Sequence, residues 1–230
     1  MPEPGSKAEL MRSLRCLVRG LSVLFWALPG TLLVSLESGV SELLQPLGVF
    51  PPVAGHALLL YGLWQLARFQ PTERIWRRAL ERSALLGIIN AGLSPFIFWS
   101  NRMPNEMIFT VSVGVLAVSG VLFVFNLNFV LQRLAAMLPD QGLRGEIRIF
   151  TRMNLALMVG MLTLLALYFG LLHWVNSPSL PAPLAILHDL LIDGRRFLLV
   201  FFILLPVALT MSLIWKTKEL VLGSVFDQSG

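Results

Sequence analysis

Charge is scarce in this chain: Asp, Glu, Lys and Arg make up 13% of its 230 residues, where a soluble globular domain carries about 25%. So little charge cannot cover a water-facing surface, and with 56% hydrophobic residues and a mean hydropathy of +0.74 the apolar surplus is expected to face lipid. Cysteine is almost absent. Cys16 stands alone, which excludes an intramolecular disulfide and any Cys-based metal or redox motif, and it reads as an ordinary packing residue. Catalytic signatures are missing as well. The chain has no GxSxG, no HExxH, no glycine-rich phosphate loop and no pair of membrane-facing carboxylates. It is therefore expected to be no enzyme and to need no cofactor.

What is present is a succession of apolar segments at 17–36, 53–69, 83–99, 107–131, 154–175 and 197–215. The second is at the short end of the roughly 17–25 residues that cross about 30 Å of hydrocarbon. The expected fold is all-α: a polytopic integral membrane protein of six transmembrane helices in three outward hairpins. Basic amphipathic helices lie on the cytoplasmic side, and both termini are cytoplasmic. A basic region before the first segment also describes a signal peptide, but the apolar run is long and Glu37-Ser38-Gly39 is no small-x-small cleavage site, so a retained helix is expected. The centres of the six segments hold no Asp, Glu, Lys or Arg, which weighs against an ion-coupled transporter or a voltage sensor.

The charge that does exist is concentrated. The formal net charge is +5 and the pI about 10.1. The basic residues cluster at segment ends, so orientation in a bilayer explains them and nucleic acid does not. The densest run is PTERIWRRALER, where Thr72 is the expected N-cap after Pro71. On that helix Ile75, Trp76, Ala79 and Leu80 share one face, while Arg74, Arg78 and Arg82 line another. Two further ramps follow the same plan. Arg12, Arg15 and Arg19 precede the first segment, and Arg144, Arg148 and Arg152 oppose Leu143, Ile147 and Phe150 before the fifth. Each is expected to lie on an anionic membrane surface. On the six-segment scheme fifteen of the 18 basic residues fall on the side of the termini, and only Arg102, Arg195 and Arg196 on the other. The positive-inside rule then places both termini in the cytoplasm. Short connections, the lone cysteine and arginine-heavy basic usage suit a bacterial inner membrane.

Pro4, Pro71 and Pro139 recur at offsets of 67 and 68, and Gly20 and Gly87 keep the first of these. Three units, 4–70, 71–138 and 139–218, would account for this. Bilayer thickness and loop length also impose such a period without duplication.

Buried polarity is mild: Asn90 and Ser94 in the third segment, Ser112, Ser119, Asn126 and Asn128 in the fourth, Thr163 in the fifth, Thr210 and Ser212 in the sixth. Hydrogen bonds between the third and fourth segments would satisfy the Asn side chains as packing contacts, or the same residues would form a polar path. His56, His173 and His188 fall on the outer side near Asp189 and Asp193, but their spacing fits no ligand motif, and solvated or interfacial positions are expected. Two functions follow. The first is a non-catalytic scaffold or subunit that meets anionic lipid headgroups, another membrane protein or a second copy of itself through its basic face. The second is a transporter or channel for a small neutral or amphipathic solute.

Overall fold

A computed structural model describes residues 4–40, 43–70, 73–103, 105–137, 141–175 and 204–223, with side chains omitted at 4–10 and at several positions of 141–175. Every regular element among them is helical. They are α1 (Pro4–Val40), α2 (Phe50–Ala67), α3 (Arg74–Leu93), α4 (Pro95–Arg102), α5 (Met107–Met137), α6 (Gln141–Val175) and α7 (residues 204–223). A short 3-10 turn, Gln45–Leu47, closes on Gly48 at φ +61° before α2 begins. Among the described residues three stretches are long and apolar enough to cross a membrane: Met11–Gly39, Arg74–Arg102 and Met107–Met137. At 1.5 Å per residue each is over about 40 Å long, more than the hydrocarbon thickness of about 30 Å. Trp26, Leu33, Leu58, Ile88, Val111 and Val115 are exposed along these helices and α2, an outward apolar surface that lipid covers and water does not.

The basic ramps are not separate surface helices. PTERIWRRALER, where it is described, opens α3 without a break, and the other two ramps are the first turns of α1 and α6. Good helix formers such as Arg, Ala, Leu and Glu fill the junction at 77–82 and nothing there stops the helix. Thr72 lies outside the described residues; Glu73 occupies the N-cap position with no side-chain cap bond. The expected apolar face also divides. Trp76 and Leu80 are buried, but Ile75 is 60% exposed, because α2 and α5 cover only one side of α3. The 197–203 part of the sixth expected segment, and the connection holding His188, Asp189 and Asp193, lie outside the described residues.

The core is a leucine seam. Leu17, Leu21, Leu24 and Leu28 of α1 alternate four and three residues apart, the spacing that keeps one stripe of a helix on its partner. They pack with Leu59, Leu63 and Leu66 of α2 and with Leu127, Leu131 and Leu134 of α5. Glycine lets α1 and α2 approach at backbone distance. A Cβ on Gly20 would stand 3.0 Å from the Gly62 carbonyl, and one on Gly55 would meet the Thr31 backbone at 3.1 Å. Gly87 of α3 is similarly tight against Leu60, whereas Gly114 of α5 faces open space despite its small-residue spacing with Thr110. Residues 20 and 31 thus face 62 and 55, an antiparallel register.

Pro95 sets the break between α3 and α4. It has no N–H to give the Ala91 carbonyl one turn back. The Ser94 hydroxyl donates to that carbonyl instead, at 2.9 Å, and Ser94 is fully buried. The serine therefore repairs what the proline removes. Ser94→Ala is expected to destabilise the protein by about 1–3 kcal/mol, the cost of a buried unsatisfied carbonyl. In a Pro95→Ala background, which restores the N–H, the same change should cost much less. Thermal unfolding of the four purified proteins in one detergent checks this.

Candidate functional site

Two regions concentrate polar chemistry. The first is the end of the bundle where α1, α3 and α6 begin. Arg19 lies 5.9 Å from the Tyr61 ring centre of α2, Phe69 meets Trp76 edge-on at 6.5 Å, and Lys216 of α7 stands 4.9 Å from the Phe150 ring of α6. The ramps are about 70 residues apart in sequence, yet these contacts gather them at one end. Arg12, Arg15, Arg19, Arg74, Arg78, Arg82, Arg148 and Arg152 are all exposed there. The side chain of Arg144 is outside the described set. Among the described residues salt bridges engage Arg77, with Glu81, and Arg133, but none of those eight. Arg133 of α5 donates to the Glu73 carboxylate through Nε at 2.8 Å and also through a terminal guanidinium nitrogen. That pair pins the start of α3 to the end of α5 and was not singled out by the sequence pattern. A carboxylate at a helix start and an arginine after an apolar run were its only signals.

The second region lies in the opposite half of the bundle. Residues of α1, α2, α3, α4, α5, α6 and α7 line a half-open, largely apolar cavity of about 410 Å³. Three of its polar lining residues, Thr31, His56 and Asn90, are buried. His56 Nδ1 donates to the Pro52 carbonyl at 2.8 Å; since a carbonyl only accepts, the neutral ring keeps Nε2 as an acceptor. Among the described residues Thr31 Oγ1 and Asn90 Oδ1 have no hydrogen-bond partner, and both atoms are shielded from water. His56 is thus buried in the protein and not solvated. The turn before α2 sends the helix back along α1, and that carries the imidazole inside. The His173 side chain and His188 are outside the described set, and among the described residues no group of three metal-ligating side chains forms.

The four polar residues of the third and fourth segments do not converge. Asn90 lines the cavity, Ser94 serves Ala91, and Asn126 donates to the Leu122 carbonyl of its own helix at 2.9 Å. Asn128 belongs to a separate buried node, and its partners are on α6 and α7, not on α3. Its amide donates to Val124 O at 2.8 Å and to Thr210 Oγ1 at 2.9 Å. The Asn154 amide reaches Asn128 Oδ1 at 3.0 Å, Thr210 Oγ1 at 2.9 Å and Pro206 O at 3.3 Å. The Thr210 hydroxyl donates to Pro206 O at 2.7 Å, so it accepts from both amides. The sequence pattern passed over Asn154, although Asn154, Met158 and Met161 recur at helical spacing and are all buried. Val124 and Pro206 also line the cavity, so the node lies against its wall.

Removing one node member strands the others. Asn128→Leu and Thr210→Val are each expected to cost about 0.5–2 kcal/mol, the range for interhelical hydrogen bonds in membranes. The double variant should lose less than the sum, because the same bonds are counted twice. Equilibrium unfolding in mixed micelles checks the coupling.

No family model matches the chain, and neither a curated protein nor a solved structure does.

Proposed function

We propose that the chain is a six-pass, non-catalytic component of a bacterial inner membrane, with three outward hairpins and cytoplasmic termini, whose basic end binds anionic lipid headgroups. The observation that carries this reading is the gathering of three sequence-distant arginine lines, exposed and without carboxylate partners among the described residues, at one end of the bundle. An arginine held near an anionic leaflet contributes about 1 kcal/mol, and the field decays within roughly 10 Å at 0.1 M salt. Arg74, Arg78 and Arg82 sit on successive turns and act on the same headgroups. A partner protein or a second copy with an acidic face would use the same guanidinium groups.

The triple variant Arg74→Gln, Arg78→Gln, Arg82→Gln is expected to weaken retention of phosphatidylglycerol relative to phosphatidylcholine on the order of 100-fold at low salt. Mass spectrometry of lipids carried through purification measures this. Equal retention by the variant and the parent protein rejects headgroup binding at this end.

A second reading, passage of a small neutral or amphipathic solute, is favoured by the largely apolar cavity, which Asn90 helps to line. It predicts flux in reconstituted vesicles that falls at least several-fold in Asn90→Leu. Asn126→Leu is expected to matter less, since the Asn126 amide bonds to its own helix.

A further inference from the structure

Two arginines on the face shared by α1 and α2 are ordered by aromatic rings and have no acid to answer them. On α2, Ala54, Leu58, Tyr61, Trp64 and Arg68 follow at helical spacing along one stripe. The Arg68 guanidinium stands 3.6 Å from the Trp64 ring centre, and that of Arg19 on α1 stands 5.9 Å from the Tyr61 ring centre. The two rings are 5.9 Å apart, so the four side chains make one continuous row. Helix direction explains why they meet. A helical side chain leans toward the N-terminus of its own helix. Since α1 and α2 are antiparallel, Arg19 leans toward the basic end while Arg68 leans back from it, and both arrive on the ring pair. Buried Gln65 donates its amide to the Tyr61 hydroxyl at 2.7 Å, which fixes the Tyr61 ring in place.

A guanidinium seated over a ring has one flat face covered, but its N–H donors radiate from the edge of its plane and stay available. Arg19 and Arg68 are both exposed, and among the described residues neither is in a salt bridge. The surrounding sequence supplies no acid either: no Asp or Glu occurs from 10 to 36 or from 43 to 72. Contact with the rings also restricts side chains that would otherwise lose rotamer freedom on binding. Phosphate is the anion whose oxygens match a guanidinium edge in pairs. Away from the basic end the same stripe is apolar, with Trp64 51% and Leu58 53% exposed. A ligand that meets both parts has a phosphate joined to hydrocarbon, and Trp and Tyr rings settle at the headgroup level of a bilayer.

We propose that this row is a discrete site for one anionic phospholipid of the leaflet at the basic end, its phosphate on the Arg19 and Arg68 edges and a chain along Trp64 and Leu58. The proposal rests on the reading that the basic end meets anionic headgroups, and it adds a single defined position apart from the arginine line of α3.

Native mass spectrometry of the full chain, titrated with phosphatidylglycerol in a mild detergent, tests it. One tightly held lipid per chain is expected. Arg68→Lys keeps the charge but gives up the planar fork, and Trp64→Leu keeps an apolar surface but removes the ring. Each should weaken the first binding step roughly three- to tenfold. Unfolding temperatures should stay unchanged, because both side chains are exposed. A diffuse positive field acts on charge alone and would treat lysine and arginine alike. Glycerophosphoglycerol, the same headgroup without chains, should fail to displace the lipid at equal concentration. Affinity equal to the parent's in both Arg68→Lys and Trp64→Leu overturns the site, and displacement by glycerophosphoglycerol overturns its assignment to a lipid. The triple variant Arg74→Gln, Arg78→Gln, Arg82→Gln separates the two readings. Lipid loss there with none in Arg68→Lys keeps headgroup binding on α3 and rejects the row; the reverse pattern keeps the row and rejects the α3 line.

Discussion

Hydrogen bonding away from water is the constraint from which the rest of this structure follows. In an apolar surrounding a freed carbonyl or an amide has only the protein to turn to, and each unmet group costs more than a packing contact gains. Helices meet most of that demand internally, which is why every regular element described is helical. The exceptions are where the chain becomes specific. Pro95 frees a carbonyl and Ser94, its immediate neighbour, answers it. Three helices that share little sequence logic are fixed to one another by Asn128, Asn154 and Thr210.

Hydrocarbon is as apolar as leucine, so burial alone does not draw helices together in a membrane. Close contact and complementary shape must do it. The apposition of Gly20 with Gly62, and of Gly55 with Thr31, brings α1 and α2 near enough for the leucine seam to interdigitate. At the basic end, where water and headgroups are accessible, a charged contact becomes affordable, and there Glu73 and Arg133 join α3 to α5.

How much of this was legible in the sequence depends on the range of the interaction. Helical class, the apolar segments and the exposure of Arg74, Arg78 and Arg82 follow from periodicity, a local property. The same periodicity grouped Ile75 with Trp76 and Leu80 on one apolar face, of which only Trp76 and Leu80 are buried, because the width of a buried face depends on how many neighbours a helix has. Ramp and span read as two units since their composition differs, yet nothing at 77–82 breaks the backbone, so they form one helix. Asn128 was visible as a buried amide, but its partners at 154 and 210 are long-range choices that no local pattern encodes. His56 looked like an edge residue because it sits near a segment start; it is internal because the turn before α2 returns the helix along α1.

The buried polar groups in the far half of the bundle are answered to different degrees. In the node the Asn128 amide meets an acceptor with each hydrogen and its oxygen meets the Asn154 amide. Asn154 Oδ1, in the same node, has no partner among the described residues, so an unmet oxygen is not peculiar to the residues that line the cavity. Beside it, the oxygens of Asn90 and Thr31 also lack a partner among the described residues and are shielded from water. What ties α5, α6 and α7 together is thus the pair Asn128 and Thr210, whose polar atoms all have partners across or along the helices.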